Sequence, residues 1–242
     1  MNNIVKRISA FAMALTLIGA GSAIVNNVSS QFGGTAIIAS AASYAKNYAD
    51  HITPLESDCL KKGSSGDKVK WLQCAINKTG IAKLDVDGDF GTNTEKAVKA
   101  FQQKYKLTTD GKFGKNSLKK MKSVLGISST KPSGVTQSNY ILLCNAVAHE
   151  AGSNWITMNE KALVVEVIMN RVASNKFPNT IYKVLAQKNQ FSGASSYINL
   201  GKFSSQVTVG VKEAVTYYFN NKSSFKHGYL YFWGDGQHNH FS

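Results

Sequence analysis

Acidic residues are scarce in this sequence: its 242 residues include 14 Asp and Glu against 28 Lys and Arg, a formal net charge of +14. No acid precedes Asp50, whereas Lys6 and Arg7 stand before an apolar run from Ile8 to Ala20. A basic start, a short apolar core and small residues after it are typical of an export signal. We therefore expect residues 1–42 to be a signal peptide, with an uncleaved membrane anchor as the alternative.

Cysteine is also scarce. The chain has three cysteines, so at least one remains unpaired in any disulfide arrangement within the chain. Disulfides persist outside the cytoplasm, and Cys59 and Cys74 lie close together in the sequence. We predict a disulfide between them. Cys144 lies in an apolar run, where a thiol usually serves as a small hydrophobic side chain.

A nucleic-acid-binding motif is missing, although the charge is strongly positive. An exported basic chain is better suited to a polyanionic surface such as a cell wall. With 43% hydrophobic residues the chain can bury an ordinary core, which excludes a disordered composition. We expect no nucleic acid partner, and no stable membrane association after signal cleavage.

The chain divides at two polar stretches. Residues 43–58 read as a short linker, and a Ser/Pro/Gly-rich stretch within 127–138 reads as a second one. Between them, residues 59–126 form a unit with fifteen lysines and six acids. Residues 139–242 form a larger unit.

The first unit contains a short repeat, in which Asp87–Gly91 and Asp110–Gly114 each precede a helical pattern. An Asp-Gly turn followed by a core Phe and a Gly suits a tight entry into a helix. Polar residues after each turn could cap the helix that follows: Thr92 or Thr94, and Asn116 or Ser117. We predict three short helices joined by two matched loops, with Phe90 and Phe113 holding the fold.

The stretch "LKKGSSGDKVKWLQ…DVDGDFGTNTEKAVKAFQQKYKLTTDGKFGKNSLKKM" resembles the three-helix peptidoglycan-binding module found in many wall hydrolases. The resemblance covers about residues 60–125 and implies peptidoglycan as the partner and a ligand groove on the module.

The second unit is mainly α by its apolar spacing, with a strand-like run at Tyr229–Trp233. Glu150 ends an apolar helix and is followed by a flexible Ala-Gly-Ser. A carboxyl group against apolar neighbours has a raised pKa and can act as a general acid. The alternative is an exposed glutamate at a helix end. Thr157 and Glu160 have the spacing of a capping box.

Other residues could carry different chemistry. Glu166 reads as part of a solvent-facing polar stripe with Glu160 and Asn170. Cys144 with a histidine could make a thiol endopeptidase, although a buried helical position does not suit a nucleophile. A zinc site could be assembled from His149, Asp235, His238 and His240, but these residues lack a recognised zinc-ligand spacing.

The motifs "LCNAVAHEAGSN", "VIMNRVASNKFPNTIYKVL", "QFS", "YLYFWG" and "NHF" occur in that order. Together they resemble the SleB/CwlJ-type cell wall hydrolases, the spore cortex-lytic family, over nearly all of residues 139–242. The resemblance implies a lysozyme-like or lytic-transglycosylase-like, α-rich fold with a short strand element. It places Glu150 at the catalytic position. The matching substrate-binding positions, for which core packing or capping is the alternative, are Asn170, Phe191, Ser192, Tyr229, Tyr231 and His240.

The sequence thus predicts a secreted two-domain enzyme that cleaves the muramyl–glucosaminyl β-1,4 bond of peptidoglycan without a cofactor or metal. A single positioned glutamate favours lytic transglycosylation over hydrolysis. The alternatives are a non-catalytic wall-binding protein and a peptide-cleaving wall enzyme. Spore cortex and vegetative wall both remain possible substrates, and the oligomeric state stays open.

Overall fold

The structure is a computed structural model, and it describes residues 47–191 and 193–242. The predicted signal peptide lies outside these residues. The described chain is mainly α, as predicted, with one short β-hairpin. Its helices are α1 (Asp67–Thr79), α2 (Thr92–Lys104), α3 (Lys115–Val124), α4 (Gln137–Ala151), α5 (Met158–Ala173), α6 (Ile181–Leu185) and α7 (Val209–Asn220). The strands are β1 (Phe232–Gly234) and β2 (Asn239–Phe241), and 3₁₀ turns lie at Tyr48–Asp50, Ala194–Ser196 and Lys222–Ser224. Among the described residues, no helix has both the length and the apolar character needed to cross a membrane.

Helices α1, α2 and α3 form the predicted three-helix module, and its two repeat loops are built alike. Gln73 on α1 donates to Asp87 Oδ1 (2.6 Å) and accepts from the Gly88 N–H (2.9 Å). Gln102 on α2 donates to Asp110 Oδ1 (2.8 Å) and accepts from Gly111 N–H (2.9 Å). A buried glutamine therefore ties each Asp-Gly turn to the preceding helix.

The backbone conformation explains why glycine occupies both turns. Gly88 and Gly111 have φ of +83° and +75°, a left-handed conformation that favours glycine. Phe90 and Phe113 are buried, as predicted. The predicted helix caps are wrong: Gly91 and Gly114 are the N-caps and make no side-chain cap bond. The Thr94 hydroxyl instead donates to the Asp89 carbonyl (3.2 Å).

The predicted disulfide is not present in the structure, where Cys59 and Cys74 are both thiols. Cys59 is exposed and its sulfur lies near Gly114, whereas Cys74 is buried on α1. The side chain of Cys74 interacts with His51. The hydrogen bond that His51 makes with the Asp67 carboxylate, followed by its interaction with Cys74, raises the pKa of His51 to about 9. The two thiols occupy different environments, a separation that proximity in sequence did not reveal.

The segment predicted as a polar linker at 43–58 contributes to the core where it is described. Tyr48 is buried, and its ring lies 6.0 Å from that of Trp71 on α1 and 6.4 Å from that of Tyr217 on α7. The Asn47 side-chain amide donates to the Tyr217 hydroxyl (3.0 Å). This segment therefore joins the module to the C-terminal helices.

Further contacts dock the module on the C-terminal helices. Met158 and Ala214 belong to the same buried apolar cluster as the module core. Lys122 on α3 donates to both carboxylate oxygens of Glu213 on α7 (2.9 Å each). Within the second predicted linker, the Thr130 carbonyl accepts from the Thr216 hydroxyl (2.8 Å). The described residues accordingly belong to one compact unit.

Helix α5 lies at the centre of the C-terminal domain, against α4, α6 and α7. It begins with the predicted capping box: Thr157 Oγ1 accepts from Glu160 N–H (3.2 Å), and the Glu160 carboxylate accepts from Thr157 N–H (3.0 Å). The antiparallel hairpin of β1 and β2 pairs Phe232 with Phe241 and Trp233 with His240. The hairpin turn projects towards the end of α4, where the cleft described below opens.

Candidate active site

Glu150 is half-buried in the last turn of α4 and lines a cleft of about 500 Å³. The walls of this cleft come from the end of α4, the loop at 152–156, Gln206 and the hairpin turn. Its lining residues are Ala148, His149, Glu150, Ala151, Gly152, Ser153, Trp155, Ile156, Gln206, Gly234, Gly236, His238 and Asn239. Glu150 is the one Asp or Glu in this set, so the cleft offers a single carboxyl group among the described residues.

The loop after Glu150 is fixed by its backbone. A Cβ atom at Gly152 would lie 2.2 Å from the Ala148 carbonyl oxygen, so the chain turns too tightly for a side chain. Lys161, buried on α5, donates to the carbonyl of Ser153 (2.8 Å) and also to that of Ile156. Burial lowers the pKa of Lys161 to about 8. The sequence suggested a flexible loop after Glu150, but the Lys161 ammonium group holds it in place.

The hairpin turn forms the opposite wall of the cleft. It is held by Glu160, which precedes Lys161 on α5. Glu160 Oε1 accepts from His238 Nδ1 (3.1 Å) and from the Asn239 N–H (3.3 Å). The first turn of α5 therefore anchors both walls, through Lys161 on one side and Glu160 on the other. Preorganised walls of this kind reduce the entropy lost when a ligand binds.

Tyr197 lies behind Glu150 and was not selected from the sequence. Its ring is buried against His149, with the centroids 4.7 Å apart. Its hydroxyl group is buried and has no hydrogen-bond partner among the described residues. Burial, followed by the charge of Glu150, raises the pKa of Tyr197 well above its ordinary value. Glu150 therefore has a neutral, buried aromatic ring as its neighbour.

Two of the predicted substrate-binding residues have structural roles here. Asn170 donates from its side-chain amide to the Tyr229 carbonyl (2.9 Å). Phe191 is buried, with its ring 6.2 Å from that of Phe232 and the Arg171 guanidinium 5.2 Å from its centre. Neither lines the Glu150 cleft.

The remaining predicted residues lie on or near the hairpin. Tyr229 is half-buried and stacks on His227 at 4.9 Å, while Tyr231 is exposed. His240 is exposed, and its Nε2 lies 2.8 Å from Asp235 Oδ2. These three are also outside the cleft lining. Ser192 lies outside the described residues.

The interpretation of Glu166 as a solvent-facing residue is wrong. Glu166 is 0% exposed, and its carboxylate accepts from the His227 N–H (2.8 Å) and contacts His227 Nδ1 (2.7 Å). This pair ties α5 to the segment that enters the hairpin. The helical spacing did not reveal a polar partner 61 positions away in the sequence.

The other candidate chemistries receive little support from the geometry. Cys144 is fully buried, and burial raises its thiol pKa to about 12, which disfavours the reactive thiolate. His238 contacts Glu160, and His240 contacts Asp235. Across 47–191 and 193–242, no group of three or more His, Cys, Asp or Glu is arranged to hold a metal ion.

The sequence also failed to reveal Trp155 and Gln206 as cleft residues. Trp155 is 55% exposed and presents its indole to the cleft. Trp155 could have been selected from the sequence, because it is an aromatic residue in the polar loop that follows Glu150. Gln206 gave no signal, because it reaches the cleft through a loop 56 positions after Glu150 in the chain.

Two parts of the chain match known protein families. Residues 65–121 match the family described as "Putative peptidoglycan binding domain". Residues 157–242 match the family described as "Cell Wall Hydrolase". Glu150 lies before this second match, which begins at Thr157.

The chain is also similar to individual proteins. Two spore cortex-lytic enzymes of Bacillus cereus are each 26% identical over 175 residues, which cover 60% of this chain and 66% of theirs. The chain thus spans just under two thirds of the length of these relatives. The type VI secretion system spike protein VgrG3 of Vibrio cholerae is 38% identical over 53 residues, 21% of this chain and 5% of that protein. A solved peptidoglycan-binding protein from Clostridioides difficile, in complex with glutamine hydroxamate, is 34% identical over 29% of this chain and 44% of its own. Its TM-score of 0.28 is too low to support an argument about the fold.

Proposed function

We propose that this protein is a peptidoglycan-degrading enzyme that cleaves the glycan strand with Glu150 as its catalytic acid. The observation that carries the proposal is the position of Glu150, the one acidic residue among those lining a 500 Å³ cleft in a chain with a cell wall hydrolase domain. A carboxylic acid positioned in a cleft can protonate the oxygen of a glycosidic bond as that bond breaks.

The single carboxyl group favours lytic transglycosylation. Inverting hydrolysis needs a second carboxylate about 6.5–9.5 Å from the first, and retaining hydrolysis needs one about 5–5.5 Å away. Glu166 is buried against His227, and Glu160 is engaged by the capping box and the hairpin, so neither is presented to the cleft. Glu150 can instead protonate the leaving oxygen and then accept a proton from the 6-hydroxyl of the muramyl residue. The attack within one sugar gains from proximity and yields a 1,6-anhydro product.

The hairpin is the proposed location of further substrate contacts. Tyr231 and His240 are exposed there and remain our candidates for sugar binding. Ser192 stays a candidate from the resemblance. We assign Asn170, Phe191 and Tyr229 a supporting role, because Asn170 and Phe191 hold the hairpin in place and Tyr229 stacks within it.

The basic module is proposed to hold the enzyme on the wall or spore cortex after export. It carries fifteen of the 28 Lys and Arg residues and matches a peptidoglycan-binding family. Anionic wall polymers would strengthen this attachment, and salt would weaken it through screening. Because the module is docked on the catalytic domain through the Lys122–Glu213 ion pair and the Tyr48 cluster, attachment would also orient the cleft.

The test compares wild-type protein with Glu150→Gln on purified walls. The substitution keeps the size of the side chain but removes its acid, so we expect the lysis rate to fall by at least about 10²-fold. Sedimentation with walls should be unchanged. Glu56→Gln, at an exposed site, serves as the matched control and should lyse walls at the wild-type rate.

Mass spectrometry of the released fragments then decides the mechanism. Products ending in a 1,6-anhydro sugar agree with transglycosylation, and ordinary reducing ends would mean hydrolysis. Newly released amino groups would instead mean peptide cleavage. Wild-type lysis by a folded Glu150→Gln protein would end the proposal, and wall binding without any lysis by the wild type would make this a binding protein.

A further inference from the structure

A second cavity borders the Glu150 cleft at Trp155. This second cavity has a volume of about 330 Å³, the size of a small-ligand site. Its lining residues are Ile52, Trp155, Gly236, Gln237 and His238. Trp155, Gly236 and His238 also line the Glu150 cleft. The two cavities therefore share one wall of aromatic and hairpin-turn residues, and we name the second one the Trp155 pocket.

The Trp155 side chain is presented on a fixed loop. The carbonyls on either side of it, those of Ser153 and Ile156, both accept from the buried Lys161 ammonium group. The Ile156 N–H also donates to the Ser153 carbonyl (3.2 Å). An exposed indole on a pinned backbone loses little entropy when a ligand stacks on it.

The hairpin turn opposite is equally constrained. Asp235 Oδ1 accepts from the Gln237 N–H (2.8 Å) and the His238 N–H (2.7 Å). His238 is held from the other side by Glu160. The polar groups of Gln237 and His238 thus border the pocket on a fixed backbone.

Ile52 contributes the third wall, although it belongs to the segment expected to be a linker. Its backbone N–H donates to the carboxylate of Asp67, at the start of α1. Four residues earlier, Tyr48 is buried between Trp71 and Tyr217. The pocket is therefore complete only when the N-terminal segment is docked.

We propose that the Trp155 pocket is a sugar subsite that binds one uncharged N-acetylated hexosamine of the glycan strand, beyond the pair cleaved at Glu150. Among the described residues, those that line the pocket include an indole and an aliphatic side chain but no Asp, Glu, Lys or Arg. The C–H face of a pyranose ring packs on an aromatic surface, and its hydroxyl and acetamide groups need polar partners at the rim, which Gln237 and His238 supply. This inference rests on the proposed function, because the glycan must run through the Glu150 cleft.

The test measures binding rather than cleavage, in the full-length Glu150→Gln protein. Calorimetry with peptide-free glycan chains of six alternating N-acetylglucosamine and N-acetylmuramic acid units gives the dissociation constant. Trp155→Ala should weaken binding about tenfold, the effect of losing roughly 60 Å² of buried apolar contact. Trp155→Phe, which keeps an aromatic face, should recover most of this loss. Tyr182→Ala removes another exposed aromatic side chain outside both cavities and should change nothing.

The outcomes separate the two proposals. If the Glu150→Gln protein binds no glycan while its Trp155 is intact, the proposed function fails and the subsite fails with it. If that protein binds glycan and Trp155→Ala binds equally well, the subsite is wrong and the proposed function stands. A thermal unfolding midpoint equal to that of the parent protein excludes misfolding, and Ile52→Ser, which acts from the opposite wall, should weaken binding in the same direction.

Discussion

The two halves of this molecule stabilise their loops over very different distances along the chain. In the module, Gln73 and Gln102 reach loops 14–16 and 8–10 residues away. In the C-terminal domain, Glu160 reaches His238 across 78 residues, and Glu166 reaches His227 across 61. The short-range contacts belong to a repeat that can be recognised in the sequence. The long-range contacts involve single charged residues, and the sequence does not show which residues are their partners.

This difference has consequences for stability. Loss of one glutamine should loosen only its own repeat loop, whereas the long-range pairs couple helix α5 to the hairpin beside the Glu150 cleft. The next three predictions test this comparison, beginning with the largest expected effect.

Removing the Glu166 carboxylate should be the most disruptive of these changes. Glu166→Ala deletes two charge-assisted hydrogen bonds in a fully buried position and leaves the polar groups of His227 without their acceptor. We expect the free energy of unfolding to fall by about 3 kcal/mol, as measured by urea denaturation. Glu56→Ala, at a site 68% exposed, should change the same quantity by less than about 0.5 kcal/mol. Equal effects in the two variants would contradict the structural role of the pair.

The two loop glutamines should behave alike. Gln73→Ala and Gln102→Ala each leave a turn N–H and an Asp side chain without their glutamine partner. Each should lower the free energy of unfolding by about 2 kcal/mol, in the same denaturation experiment. Gln103→Ala, on the exposed side of α2 next to Gln102, is the control and should be near neutral. A large difference between the two loop variants would mean that the repeat is not structurally equivalent.

Asp50 should give the smallest effect, visible as a pH dependence. Burial raises the pKa of Asp50 to about 7, with His51 opposing the shift and the charge of Glu160 adding to it. A raised folded pKa means that the stabilisation is present below about pH 4 and is lost as the pH rises through 7. Between these values, wild-type protein should lose stability relative to Asp50→Asn, by on the order of 1 kcal/mol once partial exposure is allowed for.

Thermal unfolding at several pH values measures this difference. Asp85→Asn, at an exposed carboxylate in the module, should follow the wild-type pH profile. If Asp50→Asn and wild-type protein show the same profile, Asp50 is ionised in the folded state and the interpretation of its burial is wrong.

Sequence patterns predicted those parts of the fold that depend on neighbouring residues. The capping box at Thr157 and Glu160, the end of α5 at Ala173 and the burial of Phe90 and Phe113 all follow from short-range spacing. The same reasoning was wrong about helix caps in the repeat loops. Asp-Gly-x-Phe-Gly already ends in a glycine that serves as the N-cap, and the following Thr94 hydroxyl turns back to the loop.

The sequence by itself determined that this chain is mainly α-helical, basic and divided into a repeat-bearing module and a larger domain in which Glu150 ends an apolar helix. Those features depend on composition, on helical periodicity and on turn residues that act within a few positions. The tertiary structure decided what surrounds Glu150. Lys161 and Glu160 hold the two cleft walls from α5, Ile52 borders the neighbouring pocket from the N-terminal segment, and Cys74 interacts with His51 rather than Cys59. Burial forces each of these polar groups to find a partner, and which partner it finds depends on how the helices pack.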